Sequence, residues 1–399
     1  MRIRSRHFAF ALTIVLAASL LLAVGCKPSA GGSGGTTPTE TKTPIKIGVV
    51  VSLTGPYATL GEPEKATLEM EAKRINDAGG VNGHPIELVF EDDGTDEAKA
   101  TAAAAKLIQQ DKVAALIGAT GTGQTMAMRG DVDKGGIPQV SMAGGTAITA
   151  NFDKLVFATP WSNKIVIPYE LKYMQKKGIK KIGLISDSGG FGKDGAAVVK
   201  AEASKYGITI TSEQTFNAKD PDMSVQLGAI KDSGAEAILL VNAGGDAATV
   251  AKNRESLKIT LPMYGTHGNA RVEFIQGAGT AAEGFTFAAG KVLVPETYGV
   301  DTEGYTVATD FIERFTAATG KAPSTFAGHA YDALYIVVDA MKALPEGFTS
   351  AQLRDQIEKT AGFVGIGGTF NFTATDHNGL TEGDLVMYTI ENGAWKVVE

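Results

Sequence analysis

The chain has 399 residues, of which 44% are hydrophobic and 20% are charged. This length exceeds what one hydrophobic core usually organises, and the composition is typical of globular proteins, so a single small module and a chain disordered throughout are both excluded. The net charge of −7 gives an acidic surface that repels phosphate backbones, so no nucleic-acid partner is expected.

The amino terminus has the pattern of an export signal. Residues 1–7 carry three arginines and no acidic residue, and residues 8–24 form an apolar run of 17 residues. A membrane-spanning helix needs about 20 residues, so residues 1–25 are predicted to be a cleaved signal peptide. Without them the chain keeps 34 basic and 44 acidic residues, a net charge of −10.

Cys26 is the only cysteine, which excludes an intrachain disulfide and a metal site built of thiolates. The segment Ala23-Val24-Gly25-Cys26 resembles the lipobox of bacterial lipoprotein precursors, which implies that Cys26 is lipidated. An ordinary signal peptide with an incidental cysteine is the alternative. Residues 26–44 have almost no apolar side chains and are rich in Gly, Ser, Thr and Pro, so they are predicted to be a flexible tether.

From residue 45 onward, strand and helix patterns alternate. Short β-rich apolar segments predict strands, and longer segments of good helix formers that end at glycine predict helices. The first series has predicted strands at residues 45–53, 86–91, 113–118 and 138–141, and predicted helices at residues 62–78, 96–110 and 124–134. Such βαβ repetition predicts an α/β fold in which helices cover a parallel sheet.

A second series begins at residue 181, where KIGLISDSGGFG is similar to KIGVVVSLTGPY at residue 46. Two related lobes are therefore expected. The predicted strands here are 181–187, 208–216, 235–242, 262–265 and 284–289, and the predicted helices are 190–206, 224–233 and 246–257. Three longer helices at 303–319, 325–344 and 350–360 precede β-rich segments at 368–373 and 384–398, the second of which is predicted to form a hairpin.

Two loops that follow predicted strands are small and polar. Open parallel sheets bind ligands beyond the carboxyl ends of their strands. Residues 120–125 (TGTGQT) and 143–147 (AGGTA) combine glycines with hydroxyl groups where helices are predicted to start, and unpaired N–H groups there favour a carboxylate. Tight turns with N-caps would give the same pattern for either loop alone, but two such loops after successive strands favour a carboxylate site.

Sequence signatures of catalysis fail on inspection. Residues 118–123 imitate a dinucleotide fingerprint but follow the third strand and lack the acidic partner, and residues 188–194 lack two positions of a P-loop. No G-x-S-x-G elbow is present. His84, His267, His329 and His377 stand singly, without metal-ligand spacing. No catalytic residue, metal or cofactor is therefore predicted, and the protein is not expected to be an enzyme.

Four separated segments carry a family resemblance. TGPYATLGEPEKATLEMEAKRINDAGGVNGHPIELVFEDD, ALIGATGTGQTMA, ISDSGGFGKDGA and FAGHAYDAL resemble the type I periplasmic binding proteins of the Leu/Ile/Val family, which feed amino-acid ABC transporters. The resemblance implies two Rossmann-like lobes with parallel sheets, joined by a three-stranded hinge that closes on one ligand. One lobe is then residues 45–160 plus 290–380, and the other is residues 161–289 plus 381–399.

The resemblance also implies a ligand site. In the family, a loop hydroxyl and main-chain amides hold the ligand carboxylate, and the matching positions are Thr122 with Gly121, and Ala143 with Gly145 or Thr146. Phe191 takes the place of an aromatic side chain that closes over the ligand. Thr120 falls on a pocket wall, and Leu60 stands where the amino-acid binders have a tyrosine.

His267 is the main departure from the family pattern, because the amino-acid binders have a glutamate there that pairs with the ligand ammonium. A neutral imidazole supplies no negative charge, so either Asp246 binds the ammonium or the ligand has none. Tyr57 and Trp161, near the mouth of the cleft, are candidate aromatic walls, with core or hinge packing as the alternative.

Together these features predict an extracytoplasmic solute-binding lipoprotein of an ABC importer, a monomer anchored by lipid to a bacterial membrane at the periplasm or the cell surface. The expected partners are an ABC permease and a small carboxylate ligand, with a branched-chain or other hydrophobic amino acid as first choice. An aromatic or other non-amino carboxylic acid is the alternative ligand. A ligand-sensing module for a membrane receptor is the alternative function.

Overall fold

The computed structural model describes residues 42–150 and 153–398. The predicted signal peptide, the predicted lipidation site at Cys26 and most of the predicted tether of residues 26–44 lie outside the described residues. None of the helices in the described part is long and apolar enough to cross a membrane.

The first of two large sheets is entirely parallel. Its strands are β1 (Ile45–Val51), β2 (Ile86–Asp92), β3 (Ala115–Gly118), β4 (Gln139–Ser141) and β5 (Val156–Ala158), in the order β2-β1-β3-β4-β5. The helices of this part are α1 (Ala58–Asp77), α2 (Glu97–Lys106), α3 (Thr122–Gly135) and the short α4 (Ala147–Ala150). β1 is paired on both edges and its last five residues are buried, which explains its run of β-branched side chains.

The second sheet has the same parallel core with an antiparallel edge. The chain continues through α5 (Asn163–Lys176), β6 (Lys181–Asp187), α6 (Gly190–Glu202), β7 (Thr209–Phe216), α7 (Ser224–Asp232), β8 (Ala237–Val241), α8 (Ala247–Ser256), β9 (Met263–Gly265), α9 (Val272–Ala278) and β10 (Thr286–Gly290). Strands β6 to β10 are parallel and ordered β10-β9-β8-β6-β7. This order repeats that of the first sheet.

The remaining helices return to the first sheet, and the last strands return to the second. They are α10 (Glu303–Thr319), α11 (Thr325–Lys342), α12 (Ser350–Ile357), a small hairpin of β11 (Ala361–Val364) and β12 (Thr369–Asn371), then β13 (Leu385–Glu391) and β14 (Ala394–Val397). α11 is buried over nearly its whole length and packs against α1. β13 pairs antiparallel with β10 and with β14.

The chain passes between the two sheets three times, after β5, after β10 and before β13. Hydrogen bonds join these passages: Asn378 Nδ2 donates to the Pro160 carbonyl at 2.7 Å, and Tyr388 OH donates to the Gly290 carbonyl at 3.0 Å. The predicted fold class, α/β with two Rossmann-like lobes and a three-stranded hinge, is confirmed. The predicted lobe limits near residues 160, 290 and 380 fall in these passages, and we keep them as our proposal for the two lobes.

Several elements differ from the sequence-based prediction. The prediction missed α5, which carries Pro168 inside the helix, and also missed α9, β5 and β11. α1 begins at Ala58 rather than at residue 62. Pro63 therefore lies inside the helix and not in its first turn. α3 begins at Thr122 rather than at residue 124, so Thr122 belongs to the first turn.

Candidate functional site

The shared strand order places a crevice in each lobe. β1 and β3 are neighbours in the first sheet, as β6 and β8 are in the second, and the chain moves outward in opposite directions from each pair. Loops beyond the carboxyl ends of such a pair form the crevice in which open α/β sheets bind ligands. Here loops from both lobes line one cavity, whose space for the centre of a water molecule is about 20 Å³ in this closed arrangement.

The beginning of α3 forms one wall of this cavity. Gly121, before α3, has an extended backbone and supplies no side-chain cap. The first N–H groups of a helix have no partner within it and carry partial positive charge, so this end is suited to a carboxylate. The Thr122 hydroxyl is buried at the same place and has no hydrogen-bond partner among the described residues.

Thr120 lies on the cavity wall, but its hydroxyl is already engaged. Thr120 Oγ1 accepts a hydrogen bond from the Ser52 amide at 3.1 Å and is bonded to Glu64 Oε2 at 2.5 Å. Burial raises the pKa of the Glu64 carboxyl well above its ordinary value. Thr120 therefore shapes the wall, and its hydroxyl has little capacity left for a ligand.

The loop after β4 contributes less than expected. Ala143 and Gly144 line the cavity, but the Ala143 amide donates to Ser141 Oγ at 3.1 Å. The Thr146 amide donates to Asp194 Oδ2 at 2.7 Å, and neither Thr146 nor Gly145 lines the cavity. The structure therefore does not support the expected ligand contact through the Thr146 amide, because this amide already donates its hydrogen bond to the Asp194 carboxylate.

The second lobe closes the cavity with Phe191, in the first turn of α6, and with His267, after β9. Arg271 fixes the turns beside them, since its guanidinium donates to the carbonyls of Ala243 at 2.8 Å and Gly268 at 2.6 Å. Burial lowers the pKa of Arg271 to about 10, so the side chain stays charged at neutral pH.

The two lobes are in contact around the cavity. A Cβ added at Gly190, where α6 begins, would lie 2.6 Å from the amide nitrogen of Gly123 in α3. A Cβ added at Gly144 would lie 2.4 Å from His267 Nε2. Only residues without a side chain allow this approach, so these glycines permit the closed arrangement.

Two buried histidines reach the cavity from opposite lobes. His267 comes from the second lobe and His329 from α11 in the first. Nδ1 and Nε2 of His267 and Nδ1 of His329 have no hydrogen-bond partner among the described residues. Burial lowers the pKa of each imidazole to about 3, so both are neutral at neutral pH.

The cavity has no formal charge of its own. Among the described residues, those that line it include no Asp, Glu, Lys or Arg. Asp246 lies in an adjoining outer pocket with Asp187, and its Oδ1 accepts the Lys219 amide at 3.0 Å. Burial raises the pKa of Asp187 to about 6. Within residues 42–150 and 153–398, no group of three or more His, Cys, Asp or Glu side chains is placed to hold a metal ion.

Most of the predicted site residues come together. The structure brings eight of them to the cavity wall: Tyr57, Leu60, Thr120, Gly121, Thr122, Ala143, Phe191 and His267. Four lie outside it: Gly145, Thr146, Asp246 and Trp161. Tyr57 separates the cavity from the outer pocket and lines both. Trp161 is buried behind the two histidines, with ring centroids 6.5 Å from His267 and 5.2 Å from His329.

Sequence reasoning missed seven lining residues: Met142, Gly144, Pro160, Ala243, Gly268, Phe326 and His329. Gly144 and Gly268 adjoin predicted site residues, so loop continuity could have indicated them. His329 lies in the FAGHAYDAL segment, but it stands alone in the sequence. Only the packing of α11 against the hinge brings it to the cavity.

Comparison with known proteins agrees with this architecture. Residues 44–394 match the family model described as periplasmic binding protein. The chain belongs to this family. Among the periplasmic binding proteins, it is similar to type I members of the branched-chain amino acid group, as the resemblance implied.

Two sequence relatives illustrate the similarity. Leu/Ile/Val-binding protein homolog 3 of Brucella melitensis is 29% identical over 61% of this chain and 66% of that protein. The leucine-, isoleucine-, valine-, threonine-, and alanine-binding protein of Pseudomonas aeruginosa is 25% identical over 81% of this chain and 85% of its own length.

Solved structures of similar proteins share the fold. An extracellular ligand-binding receptor from Rhodopseudomonas palustris HaA2 has a TM-score of 0.83 and 29% identity, over 89% of this chain and 100% of that one. The branched-chain amino acid transporter substrate binding protein LivJ from Streptococcus pneumoniae, solved with isoleucine, has a TM-score of 0.78 and 27% identity, over 89% and 99% of the two chains.

Proposed function

We propose that this periplasmic binding protein is an extracytoplasmic solute-binding protein of an ABC importer and captures a small carboxylate by closing its two lobes. One observation carries the proposal: within the described part of the chain, the start of α3 has no side-chain cap and the Thr122 hydroxyl, inside a cavity between the lobes, has no hydrogen-bond partner. An anion bound there would satisfy both the hydroxyl and the free helix amides.

The mechanism follows from the unpaired polar groups of the closed cavity. Each buried donor or acceptor without a partner costs about 1–3 kcal/mol. Thr122 Oγ1 and the free nitrogens of His267 are such groups, so closure without ligand is unfavourable. A ligand that bonds groups of both lobes removes this cost only in the closed state, and therefore shifts the population toward closure. The closed form is then the one the permease recognises.

Two classes of ligand are candidates. The relatives favour a branched-chain or other hydrophobic amino acid, because the Pseudomonas aeruginosa protein is named for such ligands and the Streptococcus pneumoniae structure contains isoleucine. The neutral lining of the cavity favours an aromatic or other non-amino carboxylic acid, because a buried ammonium without an anion costs several kcal/mol.

We also propose that lipidation at Cys26 anchors the protein to a membrane and that it works as a monomer. Replacement of Cys26 by serine should move the protein from the membrane fraction to the soluble fraction. Retention of the Cys26→Ser variant on membranes would contradict the lipid anchor. Sedimentation of the exported protein should give the mass of one chain, with and without ligand.

A thermal-shift screen tests the carboxylate proposal. The protein is heated with small apolar carboxylates and with the matching primary amides, which keep the shape and lose the charge. A carboxylate at 100 times its dissociation constant adds about 2.7 kcal/mol of stability, whereas its amide should add much less. Equal stabilisation by acids and amides, or none by any acid, would overturn the proposal.

A further inference from the structure

Three side chains beside the cavity form what we call the imidazole cluster: His267 and His329, which line the cavity, and Trp161, which is buried behind them. His267 belongs to the second lobe, Trp161 to the first hinge passage and His329 to α11. The Trp161 ring lies edge-on to both imidazoles, with interplanar angles of 86° to His267 and 71° to His329. The cluster therefore joins both lobes through the hinge.

The imidazole cluster is polar, yet four of its five ring nitrogens have no hydrogen-bond partner among the described residues. Both ring nitrogens of His267, Nδ1 of His329 and Nε1 of Trp161 are buried without a hydrogen-bond partner among the described residues. Histidines with a purely structural role in a core are normally hydrogen-bonded. An accumulation of unpaired groups at one cavity wall instead indicates that a ligand supplies their partners.

The chemistry of these groups limits what the partner can be. A neutral imidazole has one donor nitrogen and one acceptor nitrogen, and the indole N–H is a donor. The two imidazoles, which line the cavity, match an uncharged oxygen: a hydroxyl can donate to an imidazole nitrogen, and an oxo group can accept from an imidazole N–H. They give no negative charge to a ligand ammonium. Among the described residues no carboxylate lines the cavity: Asp187 and Asp246 line the outer pocket, and Glu64 lies behind Thr120, bonded to its hydroxyl.

The position of His267 indicates where on the ligand this oxygen lies. His267 Nε2 approaches the backbone at Gly144, and the next residue, Gly145, packs against Thr122, where a Cβ added at Gly145 would lie 2.8 Å from Oγ1. His267 and the start of α3 therefore lie on either side of one two-glycine turn. A carboxylate bound at Thr122 brings its neighbouring carbon, and the substituent on that carbon, toward His267.

We infer that this site selects carboxylic acids that carry a hydroxyl or oxo oxygen beside the carboxylate, with the imidazole cluster binding that oxygen and rejecting a 2-amino group. The inference rests on the proposed carboxylate capture and names the ligand class of the same cavity. Thr122 and the α3 amides bind the carboxylate. His267 and His329 form hydrogen bonds to the hydroxyl or oxo oxygen on the neighbouring carbon.

A matched ligand series tests the inference. Titration calorimetry at pH 7.5 compares 4-methylpentanoate with its 2-hydroxy, 2-oxo and 2-amino forms, the last being leucine, and a second series uses 3-phenylpropanoate with phenyllactate, phenylpyruvate and phenylalanine. The oxygen-bearing acids should bind about tenfold more tightly than the unsubstituted acid, and the amino acid about 100-fold more weakly than its oxo form.

The outcomes separate the two proposals. If leucine or phenylalanine binds as tightly as its oxo form, or if the unsubstituted acid equals the oxygen-bearing acids, the selection by the imidazole cluster is overturned while carboxylate capture stands. If no acid of either series binds, or primary amides bind equally well, the proposed function fails first.

Variants assign the selection to His267. His267→Phe keeps an aromatic ring and removes both nitrogens, so the ratio of affinities between the 2-oxo and the unsubstituted acid should fall to about one. His267→Glu should reverse the preference between leucine and its oxo form. His84→Gln, in a pocket away from the cavity, is the matched control and should keep the wild-type ratio. An unchanged ratio in His267→Phe would overturn the role of His267, and the wild-type series decides the ligand class even if a variant does not fold.

Discussion

The carboxylate of Asp194, in α6 of the second lobe, accepts a hydrogen bond from the Thr146 amide of the first lobe at 2.7 Å. Its Oδ1 accepts a hydrogen bond from the Ala147 amide at 3.1 Å, and the same Oδ2 that binds Thr146 also accepts one from Asn163 Nδ2 at 2.9 Å. One side chain thus ties the loop after β4 to the second lobe. The bonds from Thr146 and Ala147 cross between the lobes, so opening of the cleft would break them, whereas the bond from Asn163 lies within the second lobe.

Replacement of Asp194 by asparagine should weaken closure. An amide side chain has one acceptor oxygen, so its NH2 group would face an N–H that the carboxylate now binds. Loss of a charge-assisted hydrogen bond costs about 1.5–3 kcal/mol, so affinity for the ligand should fall roughly 10- to 150-fold. Titration calorimetry measures the affinity, and small-angle scattering with saturating ligand measures the compact fraction.

Asp133→Asn is the control for the Asp194 variant, since Asp133 is exposed on α3 and its replacement removes the same charge. It should bind ligand as the wild type does. A wild-type affinity in Asp194→Asn would show that the bonds between Asp194 and the loop do not stabilise the closed state.

Gly144→Ala should weaken ligand binding by hindering closure. The added methyl would lie 2.4 Å from His267 Nε2 and 2.9 Å from the Trp161 carbonyl oxygen, closer than non-bonded atoms approach. Overpacking of this kind costs about 1–3 kcal/mol, which corresponds to a roughly 5- to 150-fold loss of affinity. The His267 contact is made across the lobes, so the open form should be affected less than the closed one.

Gly130→Ala is the matched control, because no atom of another described element lies within 4 Å of a Cβ at this position in α3. It should raise stability by about 0.5–1 kcal/mol through the better helix propensity of alanine and leave affinity unchanged. Equal affinity in the Gly144→Ala and Gly130→Ala variants would contradict the tight packing of the closed cleft.

The fold was largely predictable because its signals are local. The buried run of β1 and the regular pattern of α10 need no distant partner to be read, and α10 has the predicted bounds of Glu303–Thr319. α5 was not predicted, because Pro168 inside it argues against a helix when only the local sequence is considered. Packing of α5 against α6 and β10 overrides that local preference.

The positions of some candidate site residues could be predicted because they depend on local chain geometry. Gly121 and Thr122 sit at a strand-to-helix turn, which the sequence marks by glycine and a hydroxyl. The fate of the Thr146 amide was not predictable, because its partner Asp194 lies in the other lobe. His329 was not predicted either, because only tertiary packing of α11 brings this side chain to the cavity.

Thr122→Val should weaken every carboxylate ligand to a similar extent. Valine keeps the shape of threonine and removes the hydroxyl, which has no partner among the described residues. Loss of one hydrogen bond to a charged group predicts a roughly 10- to 100-fold loss of affinity, equal for the hydroxy, oxo and unsubstituted acids. Titration calorimetry on the three acids measures it.

Thr122→Ser restores the hydroxyl and should recover most of the affinity lost in Thr122→Val. Similar losses in the two variants would assign the effect to packing against Gly145 rather than to a bond with the ligand. A loss confined to one of the three acids would place the Thr122 hydroxyl near the ligand substituent instead of the carboxylate.

Acid should destabilise the folded protein through His267. Burial holds its pKa at about 3, whereas an unfolded histidine has its ordinary value of about 6.5, so between these pH values the unfolded chain binds the extra proton. In this window the free energy of unfolding therefore decreases as the pH is lowered, by about 1.4 kcal/mol per pH unit for this residue.

The His267→Phe variant tests this contribution of His267, because it removes the imidazole while Asp187 and His329 titrate in both proteins. The difference in unfolding free energy between wild type and variant, measured by urea denaturation from pH 7 to pH 4.5, should thus move steadily in favour of the variant as pH falls. A difference that does not change with pH would mean that the imidazole is already hydrated or protonated in the folded state.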